Sequence, residues 1–156
     1  MPSDEDYLTQ AIALAHENVT RGGRPFGALL VSGNQLVATG VNETLATGDP
    51  TAHAELQAIR AGCRAFGRTR LDGCTVYASG QACPMCLSAM YLTGVSRLLF
   101  AYSNEDGAPY GLSTAAVYEQ LARPIAQQSM NIVHCPVRAA GIDPYEEWRA
   151  RGGVTR

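Results

Sequence analysis

Pro50-Thr51-Ala52-His53-Ala54-Glu55 and Ala82-Cys83-Pro84-Met85-Cys86 are the two stretches on which the reading of this chain turns. Each stands at the head of a segment with helical character. Residues three apart share a helix face, so the Cys83 and Cys86 thiols can point at one ion. The partial positive charge of a helix N-terminus favours the thiolate, the form that binds metal. One imidazole and two thiolates suit zinc, and three protein ligands leave its fourth position open for water. His53 and Glu55 are two apart and would diverge on an ideal helix. They converge only if the helix end itself points into the site. There Glu55 reaches the open position, takes a proton from water and passes it to a leaving nitrogen.

Other uses of a Cys-x-x-Cys pair are a structural zinc site and a redox couple. A structural site wants four ligands. The further candidates, Cys63, Cys74, Cys135, His16 and His134, are not at finger-like spacing. A redox couple has no use for His53 or Glu55. Cys63, Cys74 and Cys135 read as core or surface residues, His16 as a helix-surface residue and His134 as a strand residue.

Outward from these motifs, Tyr7 to Val19 reads as a helix with Leu8, Ile12, Ala15 and Val19 at helical spacing, and Asp4 or Asp6 serving its start. Phe26 to Val31 and Gln35 to Val41 are apolar runs joined through Ser32-Gly33-Asn34, a hairpin signal. A polar loop, Asn42 to Thr51, precedes a helix from Ala52 to Phe66. Cys74 to Ala78 reads as a strand and Ser79 to Ala82 as a loop. Pro84 to Leu92 reads as a helix with Pro in its favoured first turn and Gly94 as its stop. Ser96 to Tyr102 reads as a strand, Asn104 to Gly111 as a loop, Ser113 to Leu121 as a short helix, Asn131 to Pro136 as a last strand and Pro144 to Arg151 as a closing helix. The expected fold is a three-layer α/β/α sandwich around a mixed sheet, with residues 1–156 forming a single domain.

Composition narrows the chemistry. The net charge is −2 and the basic residues are scattered, with no stripe suited to tracking phosphates, so a small substrate is expected rather than nucleic acid. All twelve basic residues are arginine. Without lysine there is no lysine Schiff base and no Walker A loop. The acidic segment Met1 to Asp6 lacks an apolar signal core, and no apolar run approaches membrane-spanning length. A cytoplasmic protein with free cysteines is expected.

The two motifs resemble the zinc-deaminase signature His-x-Glu followed by Pro-Cys-x-x-Cys, the hallmark of the cytidine deaminase superfamily. Gly23-Arg24-Pro25-Phe26-Gly27-Ala28, Gly40-Val41-Asn42 and Cys83-Pro84-Met85-Cys86-Leu87-Ser88-Ala89 look like the branch of bacterial guanine deaminases, cytosine deaminases and tRNA adenosine deaminases. The resemblance runs from the first helix to about Tyr102, and more loosely to Trp148. It implies a cytidine deaminase-like fold, one zinc ion per subunit on His53, Cys83 and Cys86, and Glu55 as the proton carrier. It implies that Asn42 hydrogen-bonds the base, that Phe26 packs near its ring and that Ala54 takes part in substrate binding. Asn42 reads also as a turn cap, and Phe26 as a core residue before a strand. The tail at 143–156 looks like a segment that closes the site, sometimes from a partner subunit, with Glu146 or Glu147 on the substrate. It reads equally as an ordinary amphipathic helix anchored by Tyr145 and Trp148.

The chain departs from the family pattern twice. Gln81-Ala82 replaces the usual Glu-Pro before the first cysteine, and Gly111-Leu112-Ser113-Thr114 lacks the acidic residues that contact a purine in guanine deaminases. The leading expectation is hydrolysis of guanine to xanthine and ammonia in a homodimer. The alternatives are another amino-heterocycle such as cytosine, isocytosine or an aminotriazine, adenosine in tRNA, and a non-catalytic zinc-stabilised binding module.

Overall fold

In the computed structural model, which describes residues 1–154, Ser3 opens the first helix. Its hydroxyl accepts from the Asp6 N–H at 3.2 Å, and the Asp6 carboxylate accepts from the Ser3 N–H at 2.7 Å. This reciprocal cap satisfies two donors that the helix start leaves free. Ser3, rather than Asp4 or Asp6, therefore caps the helix, and Asp6 answers it from the third position.

Helix α1 (Asp4–Thr20) is followed by the expected hairpin, β1 (Gly27–Ser32) and β2 (Gln35–Val41). Then come α2 (Thr44–Thr47), α3 (Ala54–Phe66), β3 (Cys74–Gly80), α4 (Pro84–Thr93) and β4 (Arg97–Tyr102). Two short helices follow, α5 (Asn104–Gly107) and α6 (Ala115–Leu121). The strand order is β2-β1-β3-β4. β1 runs antiparallel to both neighbours and β3 parallel to β4, so the sheet is mixed.

Side chains alternate across a strand, and the core follows. Leu29, Val31 and Tyr77 pack with Tyr7 and Ala11 of α1. Ala28, Leu30 and Val76 pack with Ala54 and Ala58 of α3 and with Cys86 and Met90 of α4. Helices cover both faces, which is the three-layer arrangement expected. Burying each of Leu29, Leu30 and Val31 contributes roughly 1.5–3 kcal/mol.

One glycine on each face lets a helix approach the sheet closely. A Cβ on Gly27 would lie 2.5 Å from the Ala11 carbonyl oxygen in α1. A Cβ on Gly40 would lie 2.1 Å from the Ala54 carbonyl oxygen and 2.6 Å from the Ala58 nitrogen in α3. The first turn of α3 is thus held against the sheet by backbone contact.

Several expectations are corrected. No strand forms over 131–136; that stretch has no regular structure and is exposed, His134 included. Pro136 has no N–H to give a ladder, and strand propensity is realised only against a neighbouring strand. The expected loops at 42–51 and 104–111 contain α2, α5 and a turn of 3-10 helix at Ala108–Tyr110. Ser103 caps α5 as Ser3 caps α1, by a reciprocal pair with Asp106. β3 continues past Ala78 to Gly80, because Gly80 still pairs with Tyr102.

The chain divides into two compact units, Met1–Ala122 and Arg123–Arg156. The second unit holds a 3-10 turn at Ile125–Gln127, an isolated bridge between Ala139 and Ile142, and α7 (Pro144–Ala150). Asp143 caps α7 by accepting from the Tyr145 and Glu146 N–H groups at 2.9 and 3.1 Å. No described helix is long and apolar enough to cross a membrane.

Candidate metal and substrate site

His53 is the N-cap of α3 and Cys83 the N-cap of α4, both with extended backbone at φ −73° and −69°. An N-cap side chain lies off the end of its helix rather than on its flank. This is how His53 and Glu55 meet although two residues apart: Glu55 is in the first turn of α3, and the helix end faces the site. Cys83 and Cys86 occupy the N-cap and third positions of α4, the two whose side chains meet in a capping box. Pro84 between them costs no hydrogen bond, since the first-turn N–H groups have no partner within the helix.

The three ligand atoms converge. Cys83 Sγ lies 3.4 Å and Cys86 Sγ 3.7 Å from His53 Nδ1, and all three lie within 4.8 Å of one another. A tetrahedral zinc with Zn–S of about 2.3 Å and Zn–N of about 2.0 Å requires S···N separations of about 3.5 Å. The triad already has that spacing, with Nδ1 as the ligating nitrogen. Among the described residues no other His, Cys, Asp or Glu joins this group. Cys74 is buried elsewhere in the core, Cys63 is half-buried and Cys135 exposed, and none is bridged. The donor set therefore fits zinc with a place left open.

Charge at the site follows from these contacts. Hydrogen bonding from Cys86 pulls the Cys83 thiol below its usual range, against burial, and His53 reinforces the effect. Cys86, which gives that bond, is pushed up. His53 is raised, first by its bond to Cys83. Glu55 is 6% exposed, and burial pushes its carboxyl up. Its Oε2 lies 3.6 Å from Cys86 Sγ.

A cavity of about 250 Å³ opens over the triad. His53, Glu55 and Cys83 line it, together with Phe26 and Asn42. Ala54 is wholly buried in the core and its side chain does not line the cavity. Glu146 and Glu147 belong to the second unit, on the exposed helix α7. A larger cavity of about 430 Å³ shares Phe26, Gln81 and Leu112 as walls but holds none of the metal-binding or acid–base groups.

Sequence reasoning missed three supports of the cavity, Asn18, Asn104 and Tyr118, and gave no substrate role to Arg24, Gln81 or the 111–114 segment. Arg24 and Gln81 line the smaller cavity, as does the 111–114 segment. Asn104 fixes that segment: its N–H donates to Gln81 Oε1 at 2.9 Å, and its Oδ1 accepts from the Thr114 N–H at 3.1 Å. Asn18, buried at the end of α1, donates from Nδ2 to the carbonyls of both Arg24 and Asn42, at 2.8 and 2.9 Å. One amide group thus ties together two loops of the cavity wall. Tyr118 Oη donates to the Ala82 carbonyl at 2.5 Å, holding α6 to the residue before the first cysteine. These contacts join residues 6 to 36 positions apart, and no local pattern announces them.

A family model of the cytidine and deoxycytidylate deaminase zinc-binding region matches residues 1–102. The chain is 34% identical to a guanine deaminase from Bacillus subtilis over 146 residues, 93% of each sequence. It is also 34% identical to a tRNA-specific adenosine deaminase from the same organism, over 71% of this chain and 69% of that one. The crystal structure of the Bacillus subtilis guanine deaminase superposes with a TM-score of 0.87 at 33% identity, covering 96% of this chain and 95% of that one.

Proposed function

Because the chain belongs to the zinc-binding cytidine and deoxycytidylate deaminase family, we propose that it hydrolyses the exocyclic amine of guanine, giving xanthine and ammonia. The observation that carries this reading is Glu55, a buried carboxylate at the mouth of a three-ligand metal site that lies under a single-heterocycle cavity. A cavity of about 250 Å³ is below the roughly 300–1,000 Å³ typical of drug-sized ligands. The chain's 93% overlap with a guanine deaminase favours the purine over other bases.

Zinc, when bound by His53, Cys83 and Cys86, supplies a Lewis acid that makes a water acidic enough to attack at neutral pH. Glu55 accepts one proton from water and delivers it to the ring nitrogen beside the amine-bearing carbon; it then takes the proton of the hydroxyl now on that carbon and delivers it to the amine, which leaves as ammonia while the carbonyl forms. Burial raises its proton affinity, which suits a group that must give protons as well as take them. Asn42 holds the base from the end of β2, and Phe26 packs on its ring.

The same proposal covers the assembly and the tail. Phe100 and Tyr102 on edge strand β4, and Tyr91 and Leu92 on α4, are 42–79% exposed, an apolar surface suited to a homodimer in the cytoplasm. In this reading Glu146 and Glu147 contribute to substrate binding, and Glu146→Ala or Glu147→Ala raises the KM. An ammonia-release screen with the zinc-loaded protein tests the substrate. Guanine should be the best of a panel containing cytosine, isocytosine, an aminotriazine and a tRNA anticodon stem. Preference for a pyrimidine or the RNA would replace guanine, and no ammonia from any of them would leave a zinc-stabilised binding module.

A further inference from the structure

The hydrogen-bonding groups around the cavity are one-sided. Asn42 Oδ1 is occupied: it accepts from the Thr44 N–H at 3.2 Å and the Thr44 hydroxyl at 2.7 Å. A backbone N–H can only donate, so this contact fixes the amide's orientation and leaves Nδ2. Gln81 Oε1 is occupied in the same way by the Asn104 N–H at 2.9 Å, which leaves Nε2. No buried side-chain nitrogen or oxygen among the described residues lacks a partner. Both free NH₂ groups are therefore open to the space their residues line.

Ser113 Oγ accepts from the Ala115 N–H at 3.2 Å, so its proton is free to be given. Arg24 lines the cavity and, among the described residues, takes part in no ion pair. Its main chain is anchored by Asn18, so its position is set even though its side chain is exposed. Against these four donors the side chains of the cavity offer Glu55, which the chemistry already uses, and the Thr114 hydroxyl oxygen, whose own proton goes to Asn104 Oδ1 at 3.4 Å. Residue 81 is an amide rather than a carboxylate, and the 111–114 wall carries no acid.

A site of this kind rewards a ligand edge that carries acceptors and penalises one that carries amines, because donors facing donors are left unpaired. We propose that Arg24 is a specificity-determining residue that reads a carbonyl oxygen on the heterocycle, so that the site takes an oxo-substituted amino-heterocycle in preference to its analogue without that oxygen. This rests on the deaminase reading of the site and narrows its substrate class. Asn42 Nδ2 and Gln81 Nε2 serve the remaining ring acceptors.

The test uses the zinc-loaded full chain with guanine and 2-aminopurine, which lacks the carbonyl oxygen. KM is measured for the wild type, Arg24→Met, Arg24→Lys and the control Arg68→Met, whose guanidinium packs on Phe66 away from the site. Dissociation constants for both purines are measured in the Glu55→Gln background, where turnover does not interfere. Arg24→Met should raise guanine's KM and Kd by about tenfold or more, the scale of a hydrogen bond from a charged donor, and change those of 2-aminopurine less than about twofold. Arg24→Lys should recover part of guanine's loss, and Arg68→Met should change neither ligand. Equal effects on both purines, no effect on guanine, or no guanine binding by the parent protein would overturn the proposal. Guanine-selective binding that depends on Arg24 without ammonia release would sustain it while refuting the deaminase reading.

Discussion

Gly40→Ala tests how the sheet positions the metal site. A Cβ at residue 40 would lie 2.1 Å from the Ala54 carbonyl oxygen and 2.6 Å from the Ala58 nitrogen, where ordinary contact begins at 3.4 Å. The shortfall to Ala54 is about 1.3 Å. Both clashing atoms are backbone of the first turns of α3, so no side-chain rotation relieves them. The helix must withdraw from β2. Overpacking costs typically 1–3 kcal/mol, and backbone clashes place this case near 3 kcal/mol. At roughly 2–4 °C per kcal/mol for a chain of this size, the melting temperature should fall by about 6–12 °C.

The displaced turn carries His53 and Glu55, so the damage extends beyond stability. A shift of about 1 Å in reacting groups can cost about 10²-fold in rate. Thermal melts of the zinc-loaded protein, chelator competition for zinc and kcat/KM for ammonia release together read the effect. A variant that melts within about 1 °C of the wild type, with native zinc affinity and turnover, would show that this contact does not seat the site.

Three further substitutions separate other parts of the account. Glu55→Gln should retain one zinc per chain by elemental analysis and lower kcat by at least about 10²–10⁴, the scale of general acid–base catalysis; substantial retained turnover would remove Glu55 from the mechanism. Asn18→Ala removes the donor shared by the Arg24 and Asn42 carbonyls, so urea unfolding should show a loss of about 1–3 kcal/mol and KM should rise while zinc content is unchanged. An unaltered KM would show that the loops hold their positions without it. Tyr77, pushed up to about 12 first by burial and then by its 2.6 Å bond to Asp4, keeps its proton longer folded than unfolded. Its contribution is full below pH about 10, the unfolded value, and is lost as pH rises to about 12. Melts of wild type and Tyr77→Phe should therefore converge over that window, and a constant difference would contradict the assignment.

The metal and proton-carrying groups were legible because they obey local rules. Spacing placed Cys83 and Cys86 together, and Pro84 and Gly94 marked the limits of α4. The need for His53 and Glu55 to converge already implied a helix pointing end-on at the metal, and the N-cap position of His53 supplies that geometry. The cavity's selectivity was not legible. Arg24 stood in the Gly23-to-Ala28 stretch with no role of its own, and the meaning of Gln81 depends on an amide orientation set by Asn104, 23 residues away. The strand expected at 131–136 failed because apolar alternation does not specify a partner, and no sheet neighbour takes it up among the described residues.

X-ray absorption at the zinc edge of the purified wild-type protein tests the open three-ligand site most directly. The account predicts two sulfurs at about 2.3 Å, one imidazole nitrogen at about 2.0 Å and one further light atom belonging to exchangeable solvent. A third sulfur, a second imidazole, or a metal-free protein with Cys83 and Cys86 joined to each other would contradict it.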